Sequence, residues 1–425
     1  MKRPRGCAAG TPHSHTLPEM TVVTELDLPR FDYLDPDLHG DRFHETMRAL
    51  RERSWIASSE FGYFVLDREA AGFFLRSKSA SFPGTHMFEL LGITEGPLRE
   101  ALSNNILVLN GDQHARLRKL VHPYFTPKAA DRYRPAMRSF LAEIWEGVAG
   151  RGRCDFVTDF AKPYPARMIA GVMGSPLEDA PQLGHWANLI QKQFDPVAIA
   201  TMLPTLEEAS TEFVDYVADL IQKRKGDPKD DLITYLIQAE EDGDTLTEEE
   251  MGHLVSAVLV GGVDTTQAQL AHGIRLFAEN PDQWERLREN PEELAGAAAD
   301  EVLRYEPITA LTARIMLEDV EYRGIEFPTN TVVLACALTA NHDSETYDAP
   351  EDFDITADRG RAKPLTFGAG PHFCLGANLA RAELQEAFAF LAPRMKDLEL
   401  AGEPVYDTPL GVHGLHELPI SFARA

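Results

Sequence analysis

The sequence predicts a mainly helical α+β protein, with a helical bulk and a smaller strand-rich part. Three observations support this fold class. Apolar residues recur with helical spacing over several long segments, one of these segments is apolar on all sides at its middle, and short runs with strand character lie between turn residues. With 44% hydrophobic residues in 425, the chain can bury a core large enough to enclose a cofactor.

The elements follow in chain order. Helical spacing predicts helices over residues 40–53, 68–77, 110–121, 127–150, 159–174, 205–225, 246–280 and 292–305. Strand character appears over 62–66, and again over 322–324 turning into 331–337. Residues 82–108 contain glycines, prolines and scattered large apolar side chains, and we predict a long irregular loop there.

Helix 246–280 has the clearest start and stop signals. Thr247 and Glu250 form a capping box, Leu246 and Met251 fit a hydrophobic staple, and Pro281 blocks continuation. The middle of this helix, VSAVLVGGVDTT, is apolar all round and is therefore predicted to be buried.

Two adjacent glycines interrupt this apolar stretch. Gly261 and Gly262 each cost roughly 1 kcal/mol relative to alanine in a helix, which suggests that something needs room against it. Asp264 and Thr265 follow at once. An acid and a hydroxyl in a buried helix can be a helix-bending hydrogen bond and nothing more.

Composition limits the function classes. A net charge of −26 argues for solubility and against nucleic acid or an anionic membrane as partner. The four cysteines, Cys7, Cys154, Cys336 and Cys374, are too widely spaced for a disulfide framework or a CxxC metal site, which fits a cytoplasmic protein. Residues 1–20 are basic without an apolar core, so we expect a disordered leader, no membrane anchor, and a single domain over 21–425.

The most informative stretch is FGAGPHFCLGANLARAE, which places Cys374 in a glycine-shaped loop before a helix start. Free N–H groups and the helix dipole lower the pKa of a thiol at such a position. Holding a thiol with a pKa of ~8.5 as thiolate at pH 7 costs roughly 2 kcal/mol, which backbone donors and a bound metal cation can cover. A lone cysteine is otherwise most often a small buried hydrophobe.

The pattern F-G-x-G-x-H-x-C-x-G resembles the haem-binding loop of the cytochrome P450 family, of the soluble bacterial type. The resemblance implies the fold of that family around a buried haem b, with the Cys374 thiolate as the axial iron ligand. It also implies that Phe367 lies beside the sulfur, that His372 reaches a haem propionate, and that Gly376 belongs to the cofactor-binding loop.

Other segments resemble the same family. His114 and Arg118 on one helix face, together with Arg314, match positions that contact haem propionates in that family. GGVDTT resembles its oxygen-activating segment, in which Thr265 would hydrogen-bond bound dioxygen and Asp264 would feed protons.

Glu301 and Arg304 match the fold-locking E-x-x-R of the family, which is a structural element. The third member of that network stays open here, because F-D-I-T is followed by Ala357 with Arg359 two places later. Residues 413–422 resemble the closing hairpin of the family, and residues 193–204 its mobile lid.

The resemblance also implies a set of substrate-facing positions. They lie in the irregular loop, in the glycine-containing helix and after Pro307: Met87, Phe88, Leu91, Val258, Gly261, Ile308, Thr309 and Leu311. Apart from the glycine and Thr309 these residues are apolar, so the expected substrate is a hydrophobic small molecule. Terpenoids, steroids, fatty acids and polyketides all remain open.

The function implied by the resemblance is a haem-thiolate monooxygenase that inserts one atom of O2 into its substrate, most often as a hydroxyl. Electrons would come from NAD(P)H through a ferredoxin or flavodoxin and its reductase. Arg359, Arg361, Lys363, Arg116 and Lys119 are hypothesised to form the docking face for that acidic partner.

Two alternatives stand beside this function. A haem-thiolate protein that binds a ligand without turnover would not need the pair formed by Asp264 and Thr265. A cysteine-nucleophile hydrolase would leave the glycine loop and the Glu301–Arg304 pair unexplained.

Overall fold

The computed structural model describes residues 21–35, 37–241, 243–407 and 411–424, so the predicted leader lies outside the described residues. Helices make up its larger part, as predicted. The α-helices are Gly40–Arg53 (α1), Arg68–Arg76 (α2), His86–Leu90 (α3), Pro97–Ser103 (α4), Gly111–Val121 (α5), Pro127–Asp131 (α6), Arg134–Val148 (α7), Pro163–Met173 (α8), Ala180–Gln191 (α9), Pro196–Gly226 (α10), Leu232–Gln238 (α11), Glu248–Gly262 (α12), Asp264–Glu279 (α13), Pro281–Glu289 (α14), Pro291–Tyr305 (α15), Ala337–Asn341 (α16) and Ala377–Leu391 (α17).

The strands are short and lie mostly toward the two ends of the described chain. They are Thr21–Val22 (β1), Ile56–Ser59 (β2), Gly62–Val65 (β3), Ala80–Ser81 (β4), Arg153–Asp155 (β5), Glu240–Glu241 (β6), Asp244–Thr245 (β7), Leu311–Met316 (β8), Val320–Tyr322 (β9), Ile325–Phe327 (β10), Val332–Cys336 (β11), Met395–Leu400 (β12), Val405–Tyr406 (β13), Leu415–Glu417 (β14) and Pro419–Arg424 (β15).

The largest described sheet has five strands in the order β2-β3-β11-β8-β4. In it β11 pairs parallel with β3 and antiparallel with β8, so Arg314 of β8 lies opposite Val333. Smaller sheets have the orders β1-β10-β9, β12-β15-β5, β13-β14 and β6-β7. The predicted strand-rich part is therefore present, and its central sheet carries Arg314.

The C-terminal hairpin is formed by the consecutive antiparallel strands β13 and β14, so it includes only the first part of the predicted segment 413–422. Strand β14 pairs with β13, whereas β15 lies between β12 and β5. The two C-terminal strands therefore do not pair with each other. Strand β15 connects the segment to β12 and to the distant strand β5, and the Phe422 ring packs against the Trp145 ring of α7 with centroids 5.5 Å apart.

The predicted long helix over 246–280 is interrupted. The Thr247–Glu250 capping box is present, with both of its hydrogen bonds. The helix then breaks at Val263, which has φ −93° and ψ −69°, and it resumes as α13 at Asp264. The prediction of one unbroken helix was wrong at this residue, because the two preceding glycines permit a local distortion that side chains would resist.

One prediction for a loop also needs correction. Residues 82–108 contain the short helices α3 and α4, so this segment is less irregular than predicted. The segment 193–204, for which the resemblance implies a mobile lid, consists of the end of a 3-10 turn over Lys192–Phe194 and the start of α10, which begins at Pro196 and continues through Pro204. Its role as a lid stays a prediction. The Asp195 side chain caps α10 by accepting from the backbone N–H groups of Val197 and Ala198.

The core is divided between the helical and the strand-rich parts. One apolar cluster extends through the helices from Phe88 to Phe422. Two smaller clusters lie against the largest sheet, one around Phe74 and Phe327 and the other around Phe43 and Phe64. The segment around Cys374 connects these regions: Leu365 and Ala369 belong to a sheet-side cluster, and Leu379 belongs to the helical one.

Candidate functional site

The loop that presents Cys374 depends on glycine at Gly370. This residue has φ +73°, and a Cβ there would lie 2.8 Å from both the carbonyl oxygen of Leu75 and the Cα atom of Arg76. Only glycine therefore lets the loop pack against α2. The loop is closed by the Cys374 backbone N–H, which donates to the Phe367 carbonyl oxygen at 2.9 Å. Helix α17 begins three residues later.

The Cys374 thiol differs from that of Cys336. Cys336 is fully buried in strand β11, whereas the side chain of Cys374 is exposed. Enough protein surrounds Cys374 that burial raises the pKa of its thiol, while the N–H of Gly376 and the guanidinium of Arg118 lower it. The accessible face of Cys374 therefore opens onto space enclosed by protein. Because burial is the largest effect, the helix start alone does not secure a thiolate.

A cluster of four basic side chains lies beside this loop: His114, Arg118, Arg314 and His372. The rings of His114 and His372 have centroids 4.3 Å apart. Arg118 donates to the carbonyl oxygen of Phe373 next to the cysteine. Burial, followed by the charges of His114, Arg314 and Arg118, lowers the pKa of His372 to about 3.

Arg314 is the most deeply buried member of this basic cluster. It is 2% exposed, and its side chain donates to the carbonyl oxygen of Ala313 at 2.8 Å. Burial lowers the pKa of its guanidinium to about 10. Within the described residues, no carboxylate forms an ion pair with Arg118 or Arg314. Since burying a charge without a counter-charge is costly, these residues fit a bound group that brings carboxylates of its own.

Asp264 and Thr265 lie directly after the helix break. The Thr265 hydroxyl donates to the Gly261 carbonyl oxygen at 2.6 Å, across the interruption. A Cβ at Gly261 would meet nothing within 4 Å, so this side of the helix faces open space. At Gly262, by contrast, there is no room for a side chain, because a Cβ there would lie 2.4 Å from Cδ1 of Ile169. The glycine pair thus serves close packing on one side and room on the other.

The Asp264 carboxyl group has a partner that the sequence did not reveal. Asn188 of α9 donates to its Oδ1 atom at 2.8 Å. Burial and the charge of Asp407 raise the pKa of Asp264 to about 7, while Lys192, the Asn188 hydrogen bond and Lys162 act in the opposite direction. Asn188 is 76 residues away in sequence, and no local pattern marks it.

The Glu301–Arg304 pair is buried and complete. The two Glu301 oxygens accept from Arg304 at 2.8 and 2.9 Å and from Arg359 at 2.6 and 3.2 Å. Arg359 is therefore the third member that the sequence left open. Both arginines also donate to backbone carbonyl oxygens, including that of Asp352.

The positions expected to face substrate do not share one environment. Phe88 is fully buried in the helical core, and Ile308 is 5% exposed. Met87, Val258, Thr309 and Leu311 are half-buried, while Gly261 is exposed and Leu91 is 39% exposed. Lining a pocket therefore stays a prediction for this set.

The hypothesised docking cluster loses two members. Arg359 is held by Glu301, and Arg116 forms ion pairs with Asp244 and Glu250. Their charges are compensated within the chain, so they do not present free positive charge to a partner. Arg361 and Lys363 are exposed and remain candidates.

The cytochrome P450 family model matches residues 65–392, which is most of the chain. The chain therefore belongs to the cytochrome P450 family, and it is a haem-dependent monooxygenase of that family. Luteothin monooxygenase of Streptomyces thioluteus is 37% identical to it over 406 residues, covering 95% of this chain and 98% of the relative. The steroid C26-monooxygenase of Rhodococcus jostii is 30% identical, covering 96% and 88%.

Solved structures agree with this assignment. P450BioI, in complex with acyl carrier protein ligated to hexadec-9Z-enoic acid, matches with a TM-score of 0.82 and 31% identity, covering 90% of this chain and 99% of P450BioI. Within the residues that the structure describes, no helix is both long and apolar enough to cross a membrane.

Proposed function

We propose that Cys374 would ligate the iron of a haem b and that His114, Arg118, Arg314 and His372 would bind its propionates, with Phe367 and Gly376 shaping the loop around the sulfur. One observation carries this proposal: an accessible thiol in enclosed space lies beside the guanidinium groups of Arg118 and Arg314, which have no counter-charge within the described residues. Two propionates would supply that charge. We further propose that residues 21–425 form a single domain and that the protein is cytoplasmic.

When bound, the haem supplies dioxygen binding and activation, and thiolate ligation favours O–O cleavage. The chain supplies the protons. The Thr265 hydroxyl lies at the helix break, where Gly261 leaves open space. Asp264, with a pKa of about 7 set mainly by burial, can both release and regain a proton near neutral pH. We assign proton delivery to this pair, which also argues against a protein that only binds a ligand.

We propose hydroxylation of a hydrophobic small molecule as the reaction. The relatives named for luteothin and for a steroid make a polyketide-like or steroid-like compound the first class to test. The substrate-facing set would consist of Met87, Phe88, Leu91, Val258, Gly261, Ile308, Thr309 and Leu311. Titrating terpenoids, steroids, fatty acids and polyketides into the ferric protein, and recording displacement of the sixth-ligand water from its spectrum, ranks these classes.

Family members depend on redox partners, and we propose a ferredoxin or flavodoxin with its NAD(P)H-dependent reductase for this chain. The exposed side chains of Arg361 and Lys363 precede the cysteine loop in sequence. Their positive charge on a chain of net charge −26 would steer an acidic carrier to this face.

The ligand assignment is tested by the carbon monoxide difference spectrum of the reduced protein. We expect the red-shifted absorption of thiolate coordination in the wild type and in Cys154→Ser, which alters a half-buried cysteine on β5. Cys374→Ser should lose this absorption together with oxygenation. A Cys374→Ser variant that kept both would overturn the assignment.

A further inference from the structure

Helix α9 contributes a side chain to the acid of the proposed proton pathway. Its residue Asn188 donates to the Asp264 Oδ1 atom at 2.8 Å and to the Gln267 Oε1 atom at 3.5 Å. A side-chain amide has two N–H donors, so these two contacts use both of them. Gln267 is itself 7% exposed. Asp264 and Gln267 are three residues apart and share one face of the first turn of α13, and together they hold the amide there.

The other charged groups near Asp264 come from three further places. Lys192 follows the end of α9, Lys162 precedes α8, and Asp407 follows β13. The two lysines favour the charged carboxylate and Asp407 disfavours it. Within the described residues, none of the three forms an ion pair with Asp264, so its direct partner is neutral.

A neutral partner has a chemical consequence. A guanidinium or ammonium at this distance would hold a carboxyl group in its charged form and lower its pKa by roughly 1–3 units. An amide orients the carboxyl group through a hydrogen bond without adding a charge. The acid can then carry its proton at neutral pH while its position remains fixed.

Asn188 is close in sequence to the 3-10 turn that connects α9 to α10. Asn188 lies four residues before Lys192, where the 3-10 turn between α9 and α10 begins. Helix α9 packs against both α12 and α13, that is, on both sides of the helix break. Any displacement of α9 would therefore change the hydrogen bond that orients Asp264.

We propose that Asn188 is a positioning residue whose amide orients the Asp264 carboxyl group and makes proton delivery depend on the position of α9. This inference rests on the proposed function. It assigns no contact between Asn188 and substrate or cofactor.

The first test is a direct titration of Asp264 by infrared spectroscopy in the haem-loaded protein, with the carboxyl band assigned by its absence in Asp264→Asn. A hydrogen bond to the charged form favours that form, so Asn188→Leu should move the midpoint to higher pH by about one unit. Asn188→Gln, which keeps the amide, should restore part of the shift. Gln191→Leu, a half-buried amide on the same helix, should titrate as the wild type does.

The second test measures hydrogen peroxide release with NADH, a ferredoxin and its reductase, and no added substrate. Here two electrons from NADH and two protons convert O2 to H2O2. We expect its pH midpoint to shift in parallel with the infrared midpoint in Asn188→Leu. A purely structural role would lower the rate without moving the midpoint.

Either of two results overturns the inference: an infrared midpoint in Asn188→Leu equal to that of the wild type, or an infrared shift that peroxide release does not follow. Failure of the proposed function would be seen separately, as a wild-type protein that lacks the carbon monoxide spectrum of thiolate ligation. Thermal unfolding of each variant checks that it is folded.

Discussion

Two groups of buried arginines in this molecule show opposite arrangements. Arg304 is 1% exposed, and it donates to both Glu301 oxygens and to the backbone carbonyl oxygens of Asn341, Pro350 and Asp352. Arg314 is 2% exposed, yet among the described residues its side chain donates only to the neighbouring carbonyl oxygen of Ala313. The two arginines are about equally buried, but only Arg304 has a carboxylate as counter-charge among the described residues.

We interpret this difference as one between a structural site and the proposed ligand site. A buried charge that is fully partnered within the chain needs nothing further to be stable. A buried charge without a counter-charge is stable only if something else supplies it. Burial and residue type alone therefore do not distinguish the two roles, whereas the count of partners does.

Removing Arg304 from its compensated network with Glu301 and Arg359 should have the largest effect on folding. Arg304→Leu leaves the Glu301 carboxylate with Arg359 as its one remaining charged partner among the described residues, and removing one partner of a buried pair costs about 3–5 kcal/mol. That is a large share of the roughly 5–15 kcal/mol that stabilises a typical domain. Denaturant unfolding should show this loss with and without haem. Arg361→Leu, an exposed arginine, should change the free energy of unfolding by less than about 0.5 kcal/mol.

Removing Arg314 from the basic cluster should change the stability of the apoprotein and of the haem-loaded protein in opposite directions. Arg314→Leu removes an uncompensated buried charge, so the thermal midpoint of the apoprotein should rise. The same change removes a proposed propionate partner, and a hydrogen bond to a charged group contributes about 1.5–3 kcal/mol. Haem affinity should therefore fall about 10- to 100-fold. A midpoint that fell in both forms would place Arg314 with Arg304 as a structural residue.

The basic cluster should also make the apoprotein less stable in acid, through His372. The pKa of His372 is about 3 in the fold, below its ordinary value of 6.5. Between these values the unfolded chain binds more protons, so stability falls as the pH drops from 6.5 toward 3. Propionates beside His372 would favour its charged form, and the decline should be shallower with haem.

Unfolding midpoints of both forms across this pH range test this expectation. His372→Gln should make the decline of the apoprotein shallower as well. His413, whose pKa burial lowers to about 4, contributes to the decline in both forms and serves as an internal reference. Equal slopes in the wild-type apoprotein and in the haem-loaded protein would contradict the expectation.

A third kind of arginine, exposed and outside both groups, should have the smallest effect. Arg361→Glu with Lys363→Glu should slow reduction by a ferredoxin several-fold at low salt, and the difference should shrink at high salt. Lys396→Glu, on the exposed face of β12, is the matched charge control. The substrate-binding spectrum should be unchanged. Equal reduction rates at low salt would remove these residues from the docking face.

The sequence predicted those parts of the fold that depend on local signals. Helix α1 has the bounds that its periodicity predicted, and the Thr247–Glu250 capping box marks the start of α12. The break at Val263 was missed, because two adjacent glycines permit either a continuous or a distorted helix. The helices α3 and α4 were missed because each is short and weakly periodic.

Within the site, residues carried by motifs could be predicted and their partners could not. Cys374, Thr265 and Asp264 were found from spacing and resemblance. Asn188 has no signal in the sequence, because only tertiary packing brings α9 to Asp264. Arg116 and Arg359 appeared as free surface charge in the sequence, since acidic partners that lie far away along the chain are invisible to a local pattern.

The most direct test of the central claim compares the binding of haem and of haem dimethyl ester to the apoprotein. The ester keeps the iron and the porphyrin ring but removes both carboxylate charges. If the basic cluster is completed by propionates, haem should bind at least about 10-fold more tightly than the ester, and Arg314→Leu should reduce that ratio. Equal affinities for the two compounds would contradict the claim that these buried cations exist to hold the cofactor.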